Sequence, residues 1–261
     1  MGILNVTPDS FSDGGAFIAL ESARTQALKM VRDGAAIIDV GGESTRPGAS
    51  AVSLDQELQR VIPVIEAIRQ ESDVQLSVDT SKADIMRAAV AAGADLINDV
   101  CALQGAGALQ AAADTGATVS LMHMQGEPRT MQQQPDYQDV VEDVLGFLSA
   151  RIEVSEHAGI DRSKIWIDPG FGFGKTLDHN MQLLRGLARF KIAEVPLLVG
   201  ISRKSMIGTL LGGRPVEERL MGSVGAAVVA VERGADVVRV HDVRETYEAL
   251  VGAGLMERSH F

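Results

Sequence analysis

Short apolar runs alternate with longer amphipathic stretches along the whole chain. The runs GILNV (2–6), AIIDV (36–40), VQLSVD (74–79), ADLIND (94–99), ATVSLMH (117–123), KIWIDP (164–169), VPLLVG (195–200) and ADVVRVH (235–241) are apolar nearly throughout and rich in β-branched residues. Such runs predict strands covered on both faces, hence a parallel sheet. Between them, LDQELQRVIPVIEAIRQ (54–70) and VVEDVLGFLSARIEVSEHAG (140–159) repeat apolar residues at i, i+3, i+4 and i+7, the period of a helix packed on one side. DGAA (33–36), AGAD (92–95), TGAT (115–118) and RGAD (233–236) each place a glycine past a helix end, just before the next strand. Eight strand–helix units in 261 residues predict an α/β fold, a (β/α)8 TIM barrel forming a single domain over 1–261. A doubly wound sheet is the alternative, but it rarely needs eight equal units.

Composition narrows the setting. The chain is 46% hydrophobic and only 4% aromatic, ample for a sizeable core built mainly of aliphatic side chains. No apolar run reaches the roughly 18 residues of a membrane span, and no signal peptide opens the sequence. A single cysteine, Cys101, precludes an intramolecular disulfide and fits a reducing compartment. A cytoplasmic protein without membrane contact is expected. The net charge of −11 and the absence of a Lys/Arg stripe argue against nucleic acid. Any anionic ligand must be held by a few placed cations.

Almost every strand run ends in a polar residue: Asn5, Asp39, Asp79, Asn98, His123, Asp168, Ser202 with Lys204, and Arg239 with His241. One strand-end Asp is usually a helix cap or turn residue, and one His is usually structural. Eight such ends point to one polar mouth, where barrels of this kind carry their active sites. Asp79, Asn98, Asp168 and Lys204 suit a flat heterocycle with amino and ring N–H donors and a carbonyl. Arg46, Arg239 and His241, with Asn5, form a second, cationic group at the rim that suits phosphate. For Arg239 the plain alternative is a salt bridge across the rim. The loops TPDSFSDGG (7–15) and GGESTRPG (41–48) are long enough to be lids or binding loops, ordinary exposed turns being the alternative.

IWIDPGFGFGKT (165–176) imitates a phosphate-binding P-loop. The imitation fails, because Pro169 stands where the first glycine is needed and Asp168 would repel a phosphate. The stretch needs another role.

NVTPDSFSDGG, DVGGESTRPG, SVDTSK, IND, MHMQGEPRTMQ, DPGFGFGK, SRKSMIG and RVHDV resemble, in order and over essentially the whole chain, the signature motifs of the dihydropteroate synthase family. The resemblance implies a (β/α)8 transferase of folate biosynthesis. It would join 6-hydroxymethyl-7,8-dihydropterin diphosphate to p-aminobenzoate, releasing 7,8-dihydropteroate and pyrophosphate with Mg²⁺. It implies that Asp79, Asn98, Asp168 and Lys204 hold the pterin, with Met122 and the backbone at Gly200 lining the pocket. Asn5, Thr45, Arg46, Arg239 and His241 would bind the diphosphate, Asn5 also standing near the metal. Phe11, Pro47, Phe173 and Ser202 would surround p-aminobenzoate.

Asp79, Asp168, Lys204, Arg239 and His241 are thus the expected catalytic set, in an SN1-like reaction where pyrophosphate leaves ahead of amine attack. In DPGFGFGK the glycines would let the backbone run beside the ligands, while Lys175 and Thr176 would start or cap the next helix. A homodimer taking small-molecule substrates is expected. Cys101 is expected to pack rather than face the site.

Family members usually carry a short segment before strand 1, whose absence here would touch the closed bottom of the barrel more than the chemistry. A methyltetrahydrofolate-binding methyl-transfer module is the nearest rival, but it has no use for a diphosphate clamp. A non-catalytic pterin-binding protein would predict binding without turnover. A sugar-phosphate isomerase or aldolase would leave Asp79 and Asp168 without a role.

Overall fold

The computed structural model describes residues 1–6, 15–44, 51–126, 131 and 135–256, residues 15–18 by their backbone only. The expected strands form where the apolar runs place them: β1 Gly2–Asn5, β2 Ile37–Gly41, β3 Gln75–Asp79, β4 Leu96–Asp99, β5 Thr118–Met122, β6 Ile165–Asp168, β7 Leu198–Val199 and β8 Val237–Val238. Strands β1 to β6 pair in sequence order and all in parallel, as does the separate pair β7–β8. Two isolated parallel bridges join these arcs, Ile167 to Leu197 and Gly2 to Val240. The Ile3 N–H donates to Val240 O at 2.9 Å and the Val240 N–H to Met1 O at 2.9 Å, closing the ring. A doubly wound sheet has open edges, so the barrel reading holds.

Helices α1 Gly15–Arg32, α2 Leu54–Arg69, α3 Ala83–Ala91, α4 Ala108–Thr115, α5 Val140–His157 and α6 Leu177–Arg185 follow the first six strands; α7 Ser205–Leu210 and α8 Leu220–Glu232 follow β7, and α9 Val243–Gly252 follows β8. Their ends carry local chemistry. Ser53 caps α2 in a reciprocal capping box with Gln56, and the Asp139 carboxylate accepts the Val141 and Glu142 N–H groups at the start of α5. The repeated Gly-Ala pairs do what their spacing predicts: Gly34 and Gly234 each sit at φ 102°, open to glycine and strained for other residues.

The core lies between barrel and helices. Ile38, Val40, Leu76, Val78, Ile97, Val119, Leu121, Ile165 and Ile167 are fully buried, joined from the helices by Ile65, Ile68, Ile85, Met86 and Leu148. Asp39, Ser77, Asn98 and Ser120 are buried among the strands as well. The register aligns Asn5, Gly41, Asp79 and Asn98 as successive neighbours across four strands. The packed barrel therefore delivers the Asn5, Asp79 and Asn98 side chains to one level at the C-terminal ends of the strands.

Candidate active site

Arg239, just past β8, is the centre of the polar mouth. Its Nε donates to Asp39 Oδ2 at 2.5 Å and its Nη2 to Asp79 Oδ2 at 2.7 Å. The same Asp39 oxygen accepts from Asn98 Nδ2 at 3.2 Å, while Asp39 Oδ1 is buried without a hydrogen-bond partner among the described residues. Arg239 is thus wedged against the heterocycle set, because a guanidinium this deep needs carboxylates on its fork. The salt bridge expected as its alternative forms, and it runs to site residues. Asp39 was legible only as one more polar strand end. Its hold on both Arg239 and Asn98 spans 200 and 59 residues of sequence, which no local pattern reports.

Burial shapes every charge here. It would lower the Arg239 pKa, but Asp39 and Asp79 outweigh it and hold the guanidinium protonated above its ordinary value. Burial pushes Asp79 up to about 7 against the pull of Arg239, and the Asp39 charge adds to the rise. Asp168, at the end of β6, is likewise raised by burial, against Lys204 and the Gly170 N–H that donates to its Oδ1 at 2.7 Å. Lys204 is lowered by burial to about 8, with Asp168 opposing and Arg239 adding to the drop.

Lys204 is placed by the turn after β7. Arg203, the residue before it, adopts φ 58°, a costly conformation for a non-glycine residue. The Arg203 fork grips Asp242, through Nε to Oδ2 at 2.9 Å and through Nη2 to Oδ1, and its N–H donates to Ser223 Oγ at 2.9 Å. That turn aims Ser202 and Lys204 apart. Ser202 Oγ accepts the His241 N–H at 3.2 Å and lies 3.0 Å from His241 Nδ1. Lys204 Nζ donates to Phe171 O and stands 4.5 Å from the centre of the Phe173 ring. Gly200 and Met122 are buried at the ends of their strands, and Asn5 is exposed at the end of β1.

The glycine-rich loop after β6 differs from expectation at Lys175. Thr176 does cap α6, in a capping box with His179, but Lys175 does not. Its ammonium is buried, donating to Gly170 O at 2.9 Å and Phe173 O at 3.0 Å and lying 2.9 Å from His123 Nδ1. The glycines serve the loop's own packing. Gly170 sits at φ 68°, and a Cβ there would fall 1.9 Å from His123 O.

Thr45, Arg46, Pro47 and Phe11 lie outside the described residues, so the geometry includes neither their side chains nor the centre of either long loop. The two described stems of the second loop are tied together: the Val52 N–H donates to Glu43 Oε1 at 3.1 Å, and Lys82 Nζ binds Glu43 Oε2 at 2.6 Å and Val52 O at 2.8 Å. Cys101 is half-buried and lines a cavity of about 240 Å³ with Val100, Gln104, Met122, Met124 and Phe147.

A family model described as pterin binding enzyme matches residues 1–241. The dihydropteroate synthase of Escherichia coli (strain K12) is 57% identical over 250 residues, 96% of this chain and 88% of that protein. The chain belongs to the dihydropteroate synthase family. Among solved family structures, a Yersinia pestis dihydropteroate synthase with a sulfonamide drug complex superposes with a TM-score of 0.92 at 55% identity, covering 97% of this chain and 92% of that one. The Xanthomonas albilineans dihydropteroate synthase in complex with 7,8-dihydropteroate gives 0.88 at 49% identity over 97% and 91%. The dihydropteroate synthase motifs of this chain thus sit on the family's barrel.

Proposed function

We propose that the polar mouth joins 6-hydroxymethyl-7,8-dihydropterin diphosphate to p-aminobenzoate, forming 7,8-dihydropteroate and pyrophosphate. The observation that carries this is the convergence of Asp79, Asn98, Asp168, Lys204 and Arg239 on one mouth, in a family member 57% identical to a dihydropteroate synthase. In this reading Asp79, Asn98 and Asp168 face the pterin, the carboxylates accepting its N–H donors while Lys204 donates to a carbonyl or ring nitrogen. Met122 and Gly200 line the pocket walls. Arg239 and His241 take the diphosphate, joined by Thr45, Arg46 and Asn5. Phe173 and Ser202, with Phe11 and Pro47, flank the aromatic amine.

The bond that breaks joins the pterin methylene carbon to the diphosphate oxygen, which leaves with the bonding pair as pyrophosphate; the bond that forms joins that carbon to the amine nitrogen, which then releases one proton to solvent or pyrophosphate. The dihydropterin ring shares positive charge on the carbon, so departure of pyrophosphate runs ahead of attack. Asp79 and Asp168 stabilise the cation, Arg239 and His241 the departing anion. Arg239 is already ionised and held by Asp39 and Asp79, so the departing anion must compete with these carboxylates for the guanidinium.

The Mg²⁺ expected from the family belongs to this proposal. Among the described residues no group of three or more His, Cys, Asp or Glu side chains could hold a metal. Asn5 fits a different mode, one exposed hard oxygen donor at the mouth in a site whose substrate brings diphosphate oxygens. When bound, the ion would neutralise the leaving group.

We also infer a cytoplasmic homodimer. No helix among the described residues is long and apolar enough to cross a membrane. Met221 is 77% exposed, and Leu210 and Leu211 also face solvent on the neighbouring α7 end, an apolar surface that a second copy would cover.

The test is pyrophosphate release from the pterin diphosphate and Mg²⁺, with and without p-aminobenzoate. Release is expected to require p-aminobenzoate and to fall on the order of a hundredfold or more in Asp79→Asn and Arg239→Ala. Pterin binding without turnover would favour the binding-protein alternative instead.

A further inference from the structure

The proposed function leaves unused a buried pair, Lys175 and His123, in contact with the site's glycine-rich loop. Lys175 is 3% exposed and His123 6%. The Lys175 ammonium has three protons and three close partners: Gly170 O at 2.9 Å, Phe173 O at 3.0 Å and His123 Nδ1 at 2.9 Å, with His123 O further off at 3.4 Å. As an ammonium Lys175 only donates, so His123 then presents the Nδ1 lone pair and carries its proton on Nε2; burial lowers Lys175 to about 7 against the Asp168 charge, so this form prevails below about pH 7. Burial, reinforced by the Lys175 charge, pushes His123 down to about 3, so the imidazole is neutral and serves as an acceptor, not as an acid or base.

The two carbonyls tied by Lys175 bracket one tight turn. The Phe173 N–H donates to Gly170 O at 3.1 Å, so that oxygen is shared by the turn's own hydrogen bond and by Lys175. The Phe173 backbone is thus held at both its N–H and its C=O. The turn is braced further by Asn180, whose Oδ1 accepts the Gly172 N–H at 2.7 Å, and by Tyr137, whose hydroxyl donates to Gly174 O at 2.8 Å. Its other face meets the ligand chemistry, since Lys204 donates to Phe171 O and lies 4.5 Å from the Phe173 ring.

We propose that Lys175 is a positioning residue for the aromatic amine: its buried side-chain nitrogen, bonded to Gly170 O, Phe173 O and the His123 ring, fixes the Gly170–Phe173 turn and thereby the Phe173 ring against Lys204. Lys175 touches no substrate in this account. Its effect passes through Phe173, and the inference therefore rests on the reading of Phe173 as a wall of the p-aminobenzoate site. A hydrophobic residue in its place would take this donor from the Phe173 carbonyl and the imidazole and leave Gly170 O with the turn's own hydrogen bond alone, and the turn would relax to find others.

Steady-state kinetics on the full chain separate this from a general loss of stability. Lys175→Met is expected to raise KM for p-aminobenzoate about tenfold while KM for the pterin diphosphate changes less than about threefold. Lys175→Gln keeps two N–H donors and is expected to recover most of the loss. In a Phe173→Ala background, Lys175→Met is expected to add less than about a twofold further change, because both changes act on one ring.

A folded Lys175→Met with unchanged p-aminobenzoate KM, or with full additivity on Phe173→Ala, overturns the inference alone. Phe173→Ala with unchanged p-aminobenzoate KM overturns the reading of Phe173 and the inference with it. Should Lys175→Met not fold, Lys175→Gln carries the same comparison: a selective rise in p-aminobenzoate KM of about threefold, absent on Phe173→Ala, is the expected result, and equal effects on both substrates overturn it.

Discussion

Asp79 and Lys204 are both drawn away from their ordinary ionisation by the same desolvation, in opposite directions: the carboxyl up to about 7, the ammonium down to about 8. A pterin N–H needs the ionised carboxylate, and a pterin acceptor needs the charged ammonium. The kcat/KM for the pterin diphosphate is therefore expected to climb as Asp79 ionises and to fall as Lys204 loses its proton, giving a narrow bell whose limbs belong to the interacting cluster. Asp79→Asn is expected to abolish the acid limb along with most of the activity, and a flat wild-type profile from about pH 6 to about pH 9 would contradict this assignment.

Stability moves with its own sign. The folded chain holds the Asp79 proton over the span from 3.8 to about 7, where the unfolded chain has released it, so the contribution of this residue weakens as pH rises through that window. The residues at issue were legible because a polar side chain ending an apolar run is conspicuous. Their partners were not, since Asp39 meets Arg239 only once the barrel has closed.

The loop after β6 shows what a motif conceals at the scale of an element. Three glycines and a lysine read as a phosphate cradle gone wrong, and the cap at Thr176 was readable from its neighbours. The fold uses the glycines to lay one backbone on another: a Cβ at Gly170 would meet His123 O at 1.9 Å, and one at Gly174 would meet Gln125 O at 2.4 Å. No sequence pattern within the loop names residues 123–125 as its floor, because that contact comes from neighbouring strands β5 and β6. Gly170→Ala is expected to cost about 3 kcal/mol or more in denaturant unfolding, through overlap added to a left-handed φ. Gly159→Ala makes the control. It shares a positive φ, 95°, with nothing within 4 Å of the added carbon, and should cost about 1 kcal/mol. Equal costs would mean that strain, not the floor, dictates Gly170.

For the whole molecule, the eight-fold alternation of apolar runs was enough to reach the barrel, since strand–helix units of this number leave few ways to bury both faces. Surface association is a different matter, carried by side chains that a helical pattern does not single out. If the exposed apolar surface around Met221 joins two copies, Met221→Glu is expected to shift the protein to monomer in sedimentation or light scattering, and an unchanged mass would place the interface elsewhere.

The barrel is closed by two hydrogen-bonded arcs, and the acceptors and cations of the site divide along the same line. Asp39, Asp79, Asn98 and Asp168 stand on the arc β1–β6, whereas Lys204 and Arg239 follow the strands of the pair β7–β8. The Arg239 ion pairs thus act as a latch across a seam whose backbone ladder is short. A leaving group that claims the guanidinium competes with the latch. The enzyme would then spend part of its closure on each turnover, and substitutions that tighten this seam would be a plain route to a stabler but slower catalyst.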